Sequence, residues 1–349
     1  MPNKFSQLVF RQFRKNEIKL HELTYLFWEC TRRCNLRCLH CGSDCGADAE
    51  TQDMPFEDFL KAILPLKDAY KNITVVITGG EPLLRDDLAR CGRALRERGF
   101  RWGVVTNGYA YTPETHRRLI AAGMGAISLS LDGFEQTHNR LRGNPRSFQR
   151  AVSALELIAS SKRLCYDVVT CVHQNNISDL EAFRAFLISK RAGAWRLFTI
   201  APIGRAAGND ALQLNPEQLK KLMDFIVYAR SDRRMKVTFS CEAYLGGYEG
   251  KVRDGYFFCR AGIQIASVLA DGSISACPNI DRSFAQGSIY TDSLLDVWNS
   301  RFAVMRDRRW MKTGLCADCS AFGVCGGGAM HLRNKKTSIP CIHSALRIF

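Results

Sequence analysis

The sequence lacks several features that mark exported and membrane proteins. Met1 to Lys19 contain no apolar stretch long enough for a signal peptide, and no run in the 349 residues approaches the length of a transmembrane helix. Fifteen cysteines are an unusual number for such a chain. Without an export signal, so many thiols indicate a reducing cytoplasm and metal ligation rather than disulfide bonds.

The sequence also lacks a recognisable nucleic-acid-binding module, although its formal net charge is +15. Residues 301–349 carry nine Lys or Arg against two Asp, a net of +7 in that segment. A basic excess of this kind can attract nucleic acid, an acidic peptide or a small anion. Because no module accompanies the charge, nucleic-acid binding is not expected.

Three cysteines lie close together in one short segment. Cys34, Cys38 and Cys41 have the spacing CxxxCxxC. A [4Fe–4S] cluster normally takes four cysteines, so three predict a cluster with one iron open to a small molecule. A zinc site or unligated cysteines are the alternatives that this spacing leaves open.

A glycine-rich segment follows the second predicted strand, Ile73 to Thr78. It reads Gly79-Gly80-Glu81-Pro82, in which the glycines allow close approach of the backbone and Glu81 offers a carboxylate to an ammonium group. The cysteine segment also follows directly after a predicted strand, the apolar run from Leu23 to Cys30.

The cysteine segment and the Gly79–Pro82 segment together resemble the radical S-adenosylmethionine (radical SAM) superfamily. The resemblance implies that SAM chelates the open iron and is cleaved reductively to a 5′-deoxyadenosyl radical. It also implies that Gly79, Gly80, Glu81 and Pro82 bind the amino group of SAM, and that His40 lies beside the adenine. The same resemblance assigns four further residues to the SAM pocket, namely Asn107, Ser130, Asp132 and Arg205.

Alternating strand and helix patterns extend over residues 23–231. Strands are predicted at 23–30, 73–78, 100–106, 126–131, 165–171 and 195–200, and helices at 55–70, 86–98, 113–122, 147–160, 177–192 and 216–230. Such alternation predicts parallel strands. The fold expected is α/β, a partial (β/α)6 barrel like that of radical SAM enzymes, preceded by a basic extension at residues 1–22.

The pattern changes at residue 236, where a smaller C-terminal domain, residues 236–349, is predicted. A hairpin is expected at 263–269 and 273–277 around Asp271-Gly272, followed by a helix at 294–309. Four later cysteines form a complete ligand set, which could hold zinc or an iron–sulfur cluster: Cys316, Cys319, Cys325 and Cys341.

Behind a barrel of this type, the tail resembles the SPASM domain, which implies that these four cysteines hold an auxiliary [4Fe–4S] cluster. An inner auxiliary site would retain only Cys259 and Cys277 of its usual four ligands. Three outcomes stay open: this cluster is absent, it borrows a ligand such as Cys241, or it is smaller. The two residues could equally be reduced cysteines packed in the core.

The function predicted is that of a radical SAM enzyme that modifies a ribosomally made peptide or protein, such as a lipoprotein precursor. An electron donor such as flavodoxin or ferredoxin would supply the reductant. Radical modification of a tetrapyrrole is the alternative, and a non-enzymatic zinc or nucleic-acid module is a lesser one. About 22 residues precede the first strand, so recognition of a leader peptide would need another surface or a separate protein. No catalytic acid or base is assigned.

Overall fold

A computed structural model describes residues 4–48, 50–240, 242–333 and 341–346. Its centre is one ten-stranded sheet in the order β10-β9-β8-β1-β2-β3-β4-β5-β6-β7. The strands are β1 Tyr25–Glu29, β2 Thr74–Thr78, β3 Arg101–Thr106, β4 Ala126–Ser130, β5 Cys165–Val172, β6 Ala194–Thr199, β7 Lys236–Phe239, β8 Ile265–Val268, β9 Ser273–Ser275 and β10 Gly287–Ser288.

Helices alternate with the first seven strands and cover the sheet. They are α1 Lys4–Leu20, α2 Phe56–Ala69, α3 Leu88–Glu97, α4 Pro113–Ala121, α5 Glu135–Arg142, α6 Ser147–Ala159, α7 Leu180–Ser189 and α8 Pro216–Ala229. Four short helices follow in the C-terminal part, α9 Leu294–Ser300, α10 Ala303–Arg306, α11 Phe322–Cys325 and α12 Ile342–Leu346. Among the described residues, no helix has both the length and the apolarity needed to cross a membrane.

Local sequence signals explain where these helices begin. Thr112 accepts a hydrogen bond from the Thr115 backbone N–H at the start of α4, and Asn215 forms a reciprocal capping box with Gln218 at the start of α8. Both caps precede a proline at the first helical position, which suits its fixed φ angle. Their buried side chains, such as Leu119 of α4 and Leu222 of α8, belong to the main apolar core.

The predicted α/β fold is confirmed, and the six expected strands and six expected helices all form. Strands β1 to β7 are parallel and consecutive, so their carboxyl ends meet at one edge of the sheet. The sequence does not predict β7, nor helices α1 and α5. The prediction of one continuous helix over 294–309 is wrong. The chain forms two short helices there, α9 and α10, and a 3-10 turn at Arg309–Met311.

The predicted hairpin of the C-terminal part forms and joins the barrel sheet. Strands β8 and β9 are antiparallel and turn at Asp271 and Gly272, where Gly272 has φ of +84°. Strand β8 also pairs in parallel with β1, with Tyr25 opposite Ile265 and Trp28 opposite Val268. The barrel and the C-terminal part therefore share one continuous hydrogen-bonded sheet.

Candidate active site

The three cysteines of the CxxxCxxC segment lie together at the carboxyl edge of the sheet, directly after β1. Cys34 and Cys38 are buried, Cys41 is half-buried, and all three pack in one cluster with Leu36 and Cys45. The loop closes where the Cys34 backbone N–H donates to Gly46 O, at 2.9 Å. One short loop thus presents three thiols from a sheltered pocket.

Three polar side chains from other elements contact this loop. The Asn107 amide donates to Cys34 Sγ at 3.9 Å, and the Arg142 guanidinium donates to Cys38 Sγ at 3.7 Å. Arg205 donates to Cys38 O at 2.7 Å and to Cys45 O at 2.9 Å. Cationic groups beside thiols favour the thiolate, the form that ligates metals.

The thiols differ in acidity because their surroundings differ. Burial raises the pKa of Cys34 to about 11. A hydrogen bond with the Cys45 side chain, reinforced by the nearby Arg205 cation, lowers the pKa of Cys41 to about 5. Three sheltered sulfurs with donors and cations around them fit an iron–sulfur cluster, and Cys34, Cys38 and Cys41 are the residues that would hold it.

Arg142 is a site residue that the sequence did not predict. It ends α5, and its Nε donates to Asp132 Oδ2 at 2.7 Å while its Nη1 reaches Cys38. Although burial of Asp132 opposes ionisation, Arg142 holds the pKa of that carboxyl well below its usual range. The pair places one buried positive charge between an aspartate and the sulfur of Cys38, a predicted cluster ligand.

Gly79 and Gly80 allow the loop after β2 to touch the start of the cysteine loop. Gly80 N donates to Thr31 O at 2.8 Å, and Glu81 N donates to Arg33 O at 2.9 Å. A Cβ at Gly79, whose φ is +146°, would lie 2.2 Å from Thr31 O, and one at Gly80 would lie 2.1 Å from Arg33 O. Any side chain at either position would separate the two loops.

Glu81 is fully buried, and its carboxylate accepts three hydrogen bonds from the protein. The donors are Thr106 Oγ1 at 2.7 Å, Asn107 N at 2.8 Å and Leu83 N at 3.1 Å. Burial raises the pKa of Glu81. The carboxylate therefore joins the ends of β2 and β3, a structural role that the sequence did not predict. Its contact with SAM stays a prediction, as does that of the buried Pro82.

A substitution separates the two roles of Glu81. In Glu81→Gln, the amide NH2 faces a backbone or hydroxyl donor, so we expect a loss of about 2 kcal/mol in the free energy of unfolding. If the carboxylate also accepts the SAM ammonium, the affinity for SAM falls roughly tenfold at unchanged iron content. Thermal unfolding and equilibrium dialysis of SAM measure the two effects.

The matched control for Glu81→Gln is Thr106→Val, which keeps the carboxylate but removes two hydrogen bonds of the Thr106 hydroxyl, the one donated to Glu81 and the one accepted from Gly108 N. It should lower stability by about 2 kcal/mol and leave SAM affinity unchanged. An unchanged dissociation constant for SAM in Glu81→Gln would assign this residue to structure alone.

The remaining residues predicted for the SAM pocket occupy the same edge of the sheet. His40 Nδ1 is buried without a hydrogen-bond partner among the described residues, and burial lowers the pKa of His40 to about 3. His40, Asp132 and Cys171 place their polar atoms within 4.8 Å of one another. Ser130 is half-buried at the end of β4, opposite Val169. Their contacts with SAM stay predictions.

The four tail cysteines are all half-buried and come from four short segments. Cys316 ends a 3-10 turn, Cys325 ends α11 and Cys341 precedes α12, with Cys319 between the first two. Arg333 Nη2 donates to Cys316 Sγ at 3.1 Å, and Ser344 N donates to Cys341 Sγ at 3.4 Å. Burial raises the pKa of Cys325 to about 11, and the neighbouring thiols of Cys341 and Cys316 add to that rise. Four thiols are the number that a closed set of iron–sulfur ligands requires, and a ligand role for Cys316, Cys319, Cys325 and Cys341 stays a prediction.

The two cysteines of the inner auxiliary site have different surroundings. Cys259 is buried within the main apolar core, and its carbonyl accepts a hydrogen bond from Arg308 at 2.8 Å. Cys277 is half-buried against the same core. Cys241 lies outside the described residues. A ligand role for Cys259 and Cys277 stays a prediction.

A cleft of about 260 Å³ lies between the cysteine loop and the C-terminal part. Gly42 to Asp44, directly after Cys41, form one wall, and Pro278 to Arg282 form another. Arg333, the residue that contacts Cys316, lines it as well. The cleft is therefore lined by residues that adjoin Cys41 in sequence and by one that contacts Cys316.

Glu242 follows β7 and ties β6 to the C-terminal part. Its carboxylate accepts hydrogen bonds from Thr199 N at 2.7 Å and from Thr199 Oγ1 at 2.5 Å, while its carbonyl accepts from Ala329 N at 3.1 Å. Burial raises the pKa of Glu242 to about 7, although the bonds from Thr199 oppose that rise.

The raised pKa of Glu242 predicts a pH-dependent stability. The folded chain keeps a proton that the unfolded chain releases near its ordinary pKa of 4.5. The free energy of unfolding should therefore fall by up to about 3 kcal/mol as the pH rises from about 4.5 to about 7. Glu242→Gln keeps both hydrogen bonds to Thr199 without a charge, so its Tm relative to wild type should rise between about pH 5 and about pH 8.

Glu217→Gln, which removes an exposed carboxylate from α8, is the control for Glu242→Gln. It should leave the Tm difference from wild type flat across the same pH range. A flat difference for Glu242→Gln as well would contradict the role given to its burial.

Comparison with known proteins identifies two parts of the chain. Residues 28–187 match the model of the radical SAM superfamily, and residues 259–320 match that of the iron–sulfur cluster-binding SPASM domain. The mycofactocin maturase MftC of Mycolicibacterium smegmatis is 30% identical over 311 residues, which cover 87% of this chain and 77% of that protein. An AdoMet-dependent heme synthase of Methanosarcina barkeri is 26% identical over 320 residues, 86% of this chain and 89% of that protein.

Among solved structures, Streptococcus suis SuiB bound to the precursor peptide SuiA superposes with a TM-score of 0.71. The match has 17% identity and covers 96% of this chain and 79% of SuiB. It shows the same fold, an α/β radical SAM core followed by a SPASM domain. The two family matches and the shared fold agree with each other, and the SPASM match, residues 259–320, includes Cys316 and Cys319 of the tail. The chain is therefore a radical SAM enzyme, a member of that superfamily with a SPASM domain. Its cofactors are a SAM-binding [4Fe–4S] cluster and auxiliary iron–sulfur clusters of the SPASM domain.

Proposed function

We propose that this enzyme is a maturase that modifies a ribosomally made peptide or protein. The observation that carries the proposal is the cleft between the cysteine loop and the C-terminal part. Its walls come from Gly42 to Asp44 on one side and from Pro278 to Arg282 on the other. A substrate side chain in this cleft would lie beside the loop of Cys34, Cys38 and Cys41, while the rest of a peptide remained outside.

The size of the cleft supports a peptide side chain as the reacting group. Small-molecule sites usually enclose roughly 300–1,000 Å³, whereas this cleft holds about 260 Å³. A side chain fits such a space more readily than a four-ring macrocycle does. The relative MftC is named a maturase, and the structural relative SuiB was solved with its precursor peptide, which further supports this class of substrate.

Residues of this chain would hold and tune the cofactors. The SAM-bound cluster supplies reductive cleavage of SAM to a 5′-deoxyadenosyl radical, which abstracts a hydrogen atom from the substrate. Cys34, Cys38 and Cys41 would ligate that cluster, with Asn107 and Arg142 donating to its sulfurs. Hydrogen bonds to ligating sulfur and a nearby positive charge favour the reduced, more negative cluster. Arg205 would stabilise the cysteine loop, because it donates hydrogen bonds to the backbone carbonyls of both Cys38 and Cys45.

We further propose the partners and compartment of this enzyme. An electron donor such as flavodoxin or ferredoxin suits a protein with a net charge of +15, because acidic donors are steered toward basic surfaces. Fifteen cysteines favour the reducing cytoplasm. The peptide substrate could be a lipoprotein precursor encoded beside the enzyme.

The test uses anaerobically reconstituted enzyme with SAM, dithionite and short peptides encoded by neighbouring genes. A substrate should change mass, and 5′-deoxyadenosine should accumulate in proportion to the modified peptide. Deuterium transfer from labelled peptide into 5′-deoxyadenosine would identify the carbon that loses hydrogen. Cleavage of SAM without modification of any encoded peptide would count against a maturase.

A second candidate is radical modification of a tetrapyrrole. The relative from Methanosarcina barkeri is named a heme synthase and matches 86% of this chain. Incubation with iron-containing and metal-free porphyrin carboxylates, followed by absorption spectroscopy and mass spectrometry, distinguishes the two. Decarboxylation of a porphyrin at a rate exceeding that of peptide modification would favour this candidate.

A further inference from the structure

Helix α1 has an unusually apolar outer surface. Four large apolar side chains are exposed on it, Phe5 by 72%, Leu8 by 64%, Val9 by 53% and Phe13 by 44%. Their spacing of three, four and eight residues places them on one face of the helix. With Leu20, this helix carries five of the thirteen large apolar side chains that are exposed in the described parts of the chain.

The opposite face of α1 already fixes the helix to the protein. Phe10 is buried and packs edge-on against Tyr256, with ring centroids 5.1 Å apart. Arg14 donates to Val324 O at 2.7 Å and to Gly323 O at 2.9 Å. The apolar stripe, defined as Phe5, Leu8, Val9 and Phe13, is thus exposed. Phe13 lies at its edge and also packs edge-on against Phe258, with ring centroids 6.2 Å apart.

A basic row runs beside the apolar stripe. Arg11, Lys15 and Lys19 follow each other at intervals of four residues, and all three are exposed. None of them forms an ion pair with a described residue. Glu17, the one acidic residue of α1, hydrogen-bonds to Gln264. The outer surface of the helix thus combines apolar and cationic groups without an exposed carboxylate that could neutralise them.

We propose that α1 binds an anionic lipid surface. Helices that lie in the plane of a membrane insert Phe and Leu at the boundary between headgroups and acyl chains, and their Lys and Arg contact anionic headgroups. Lys15 and Lys19 favour lipid over a protein partner, because Lys is depleted at protein–protein interfaces, although Phe and Arg are enriched there. The net charge of +15 would strengthen attraction to the lipid at long range. This inference does not depend on the substrate proposed above.

The expected binding is reversible and sensitive to salt. Four apolar side chains and three cations resemble a single weak anchor rather than a stable insertion. Each Lys or Arg near an anionic surface strengthens binding by roughly fivefold, and salt screens that attraction. The enzyme would then move between the membrane surface and solution while its barrel stays intact.

The test is flotation of the full-length reconstituted enzyme with lipid vesicles. The wild-type protein should float with an equal mixture of phosphatidylcholine and phosphatidylglycerol, stay unbound with phosphatidylcholine alone, and dissociate in high salt. The variant Phe5→Ser/Leu8→Ser/Val9→Ser should bind the mixed vesicles at least about tenfold more weakly. Arg11→Glu/Lys15→Glu/Lys19→Glu should bind about a hundredfold more weakly or worse.

Matched controls change the same residue types elsewhere on the surface. Leu64→Ser/Ile120→Ser alters exposed apolar side chains of α2 and α4, and Lys61→Glu/Lys71→Glu/Arg93→Glu alters the net charge by the same amount near α2 and α3. The apolar control should bind vesicles like wild type, and the charge control should lose far less affinity than the α1 charge variant. Iron content and Tm check that every variant folds.

Three results would overturn the proposal. One is a wild-type enzyme that does not float with vesicles containing phosphatidylglycerol. Another is equal loss of binding in the α1 charge variant and its control, which would mean that net charge alone attracts the lipid. The third is a concentration-dependent dimer, seen by analytical ultracentrifugation, that Phe5→Ser/Leu8→Ser/Val9→Ser abolishes without any vesicle binding, because a second copy of the chain would then cover the stripe.

Discussion

Replacing Cys34, Cys38 and Cys41 together by alanine should abolish reductive cleavage of SAM. The three thiols lie in one sheltered loop, and a [4Fe–4S] cluster cannot be held there without them. Iron should fall by about four atoms per chain. Chromatographic detection of 5′-deoxyadenosine after reduction with dithionite, together with iron analysis, measures both effects.

The matched control is Cys45→Ser, because the same loop contains this fourth, buried thiol. We expect this variant to keep its full iron content. Loss of the cluster in Cys45→Ser would show that the ligand set extends beyond CxxxCxxC. Continued formation of 5′-deoxyadenosine by the triple alanine variant would contradict the assignment of the site.

Replacing Cys316 and Cys319 by alanine should stop turnover of the true substrate while SAM cleavage continues. The four tail cysteines all lie outside the strands of the sheet, so the barrel should survive their loss. Total iron should fall from about eight to about four atoms per chain. Iron analysis, 5′-deoxyadenosine formation and mass spectrometry of the product separate these effects.

The control for the tail variant is Cys165→Ala, which removes an exposed thiol at the start of β5. It should retain all iron and full turnover. A wild-type content near ten or twelve atoms, with the Mössbauer signal of a third centre, would show that Cys259 and Cys277 hold a cluster and that one auxiliary cluster is too few.

Much of the arrangement of the candidate active site could be predicted because its residues are close together in sequence. The spacing of Cys34, Cys38 and Cys41, and the glycines before Glu81, are local patterns with a direct chemical meaning. The sequence also indicated that these segments follow strands, which brings them to one edge of a parallel sheet. Their proximity in space followed from that topology.

Arg142 could not be predicted in the same way, because its role depends on contacts distant in sequence. Helix α5 is polar along most of its length and buries only His138, Leu141 and Arg142, so it lacks an apolar periodicity. Its position is set by a backbone bond from Leu39 N to Leu141 O, at 2.8 Å. A Cβ at Gly143, just beyond, would come within 2.8 Å of Arg37 O.

The helix expected at 294–309 divides beside a segment that is distant in sequence, since Arg306 Nε donates to Gly262 O at 2.9 Å. Trp298, Phe302 and Met305 are all buried, so the apolar pattern continues through the break. Arg306 reaches back to the carbonyls of Trp298, at 2.5 Å, and Asn299, at 3.2 Å, and satisfies the end of α9. No local signal in the sequence marks that contact.

The pairing of β8 with β1 limits how this enzyme can be shortened or recombined. A barrel expressed without its C-terminal part would keep the pairing of β1 with β2 but leave the backbone groups of β1 that face β8, between Tyr25 and Trp28, without their partners. Unpaired edges of this kind template aggregation, and β1 is rich in aromatic and aliphatic side chains. A chimaera that exchanges the auxiliary region would therefore need to supply a strand in the register of β8, and a simple fusion at a linker would yield an insoluble barrel.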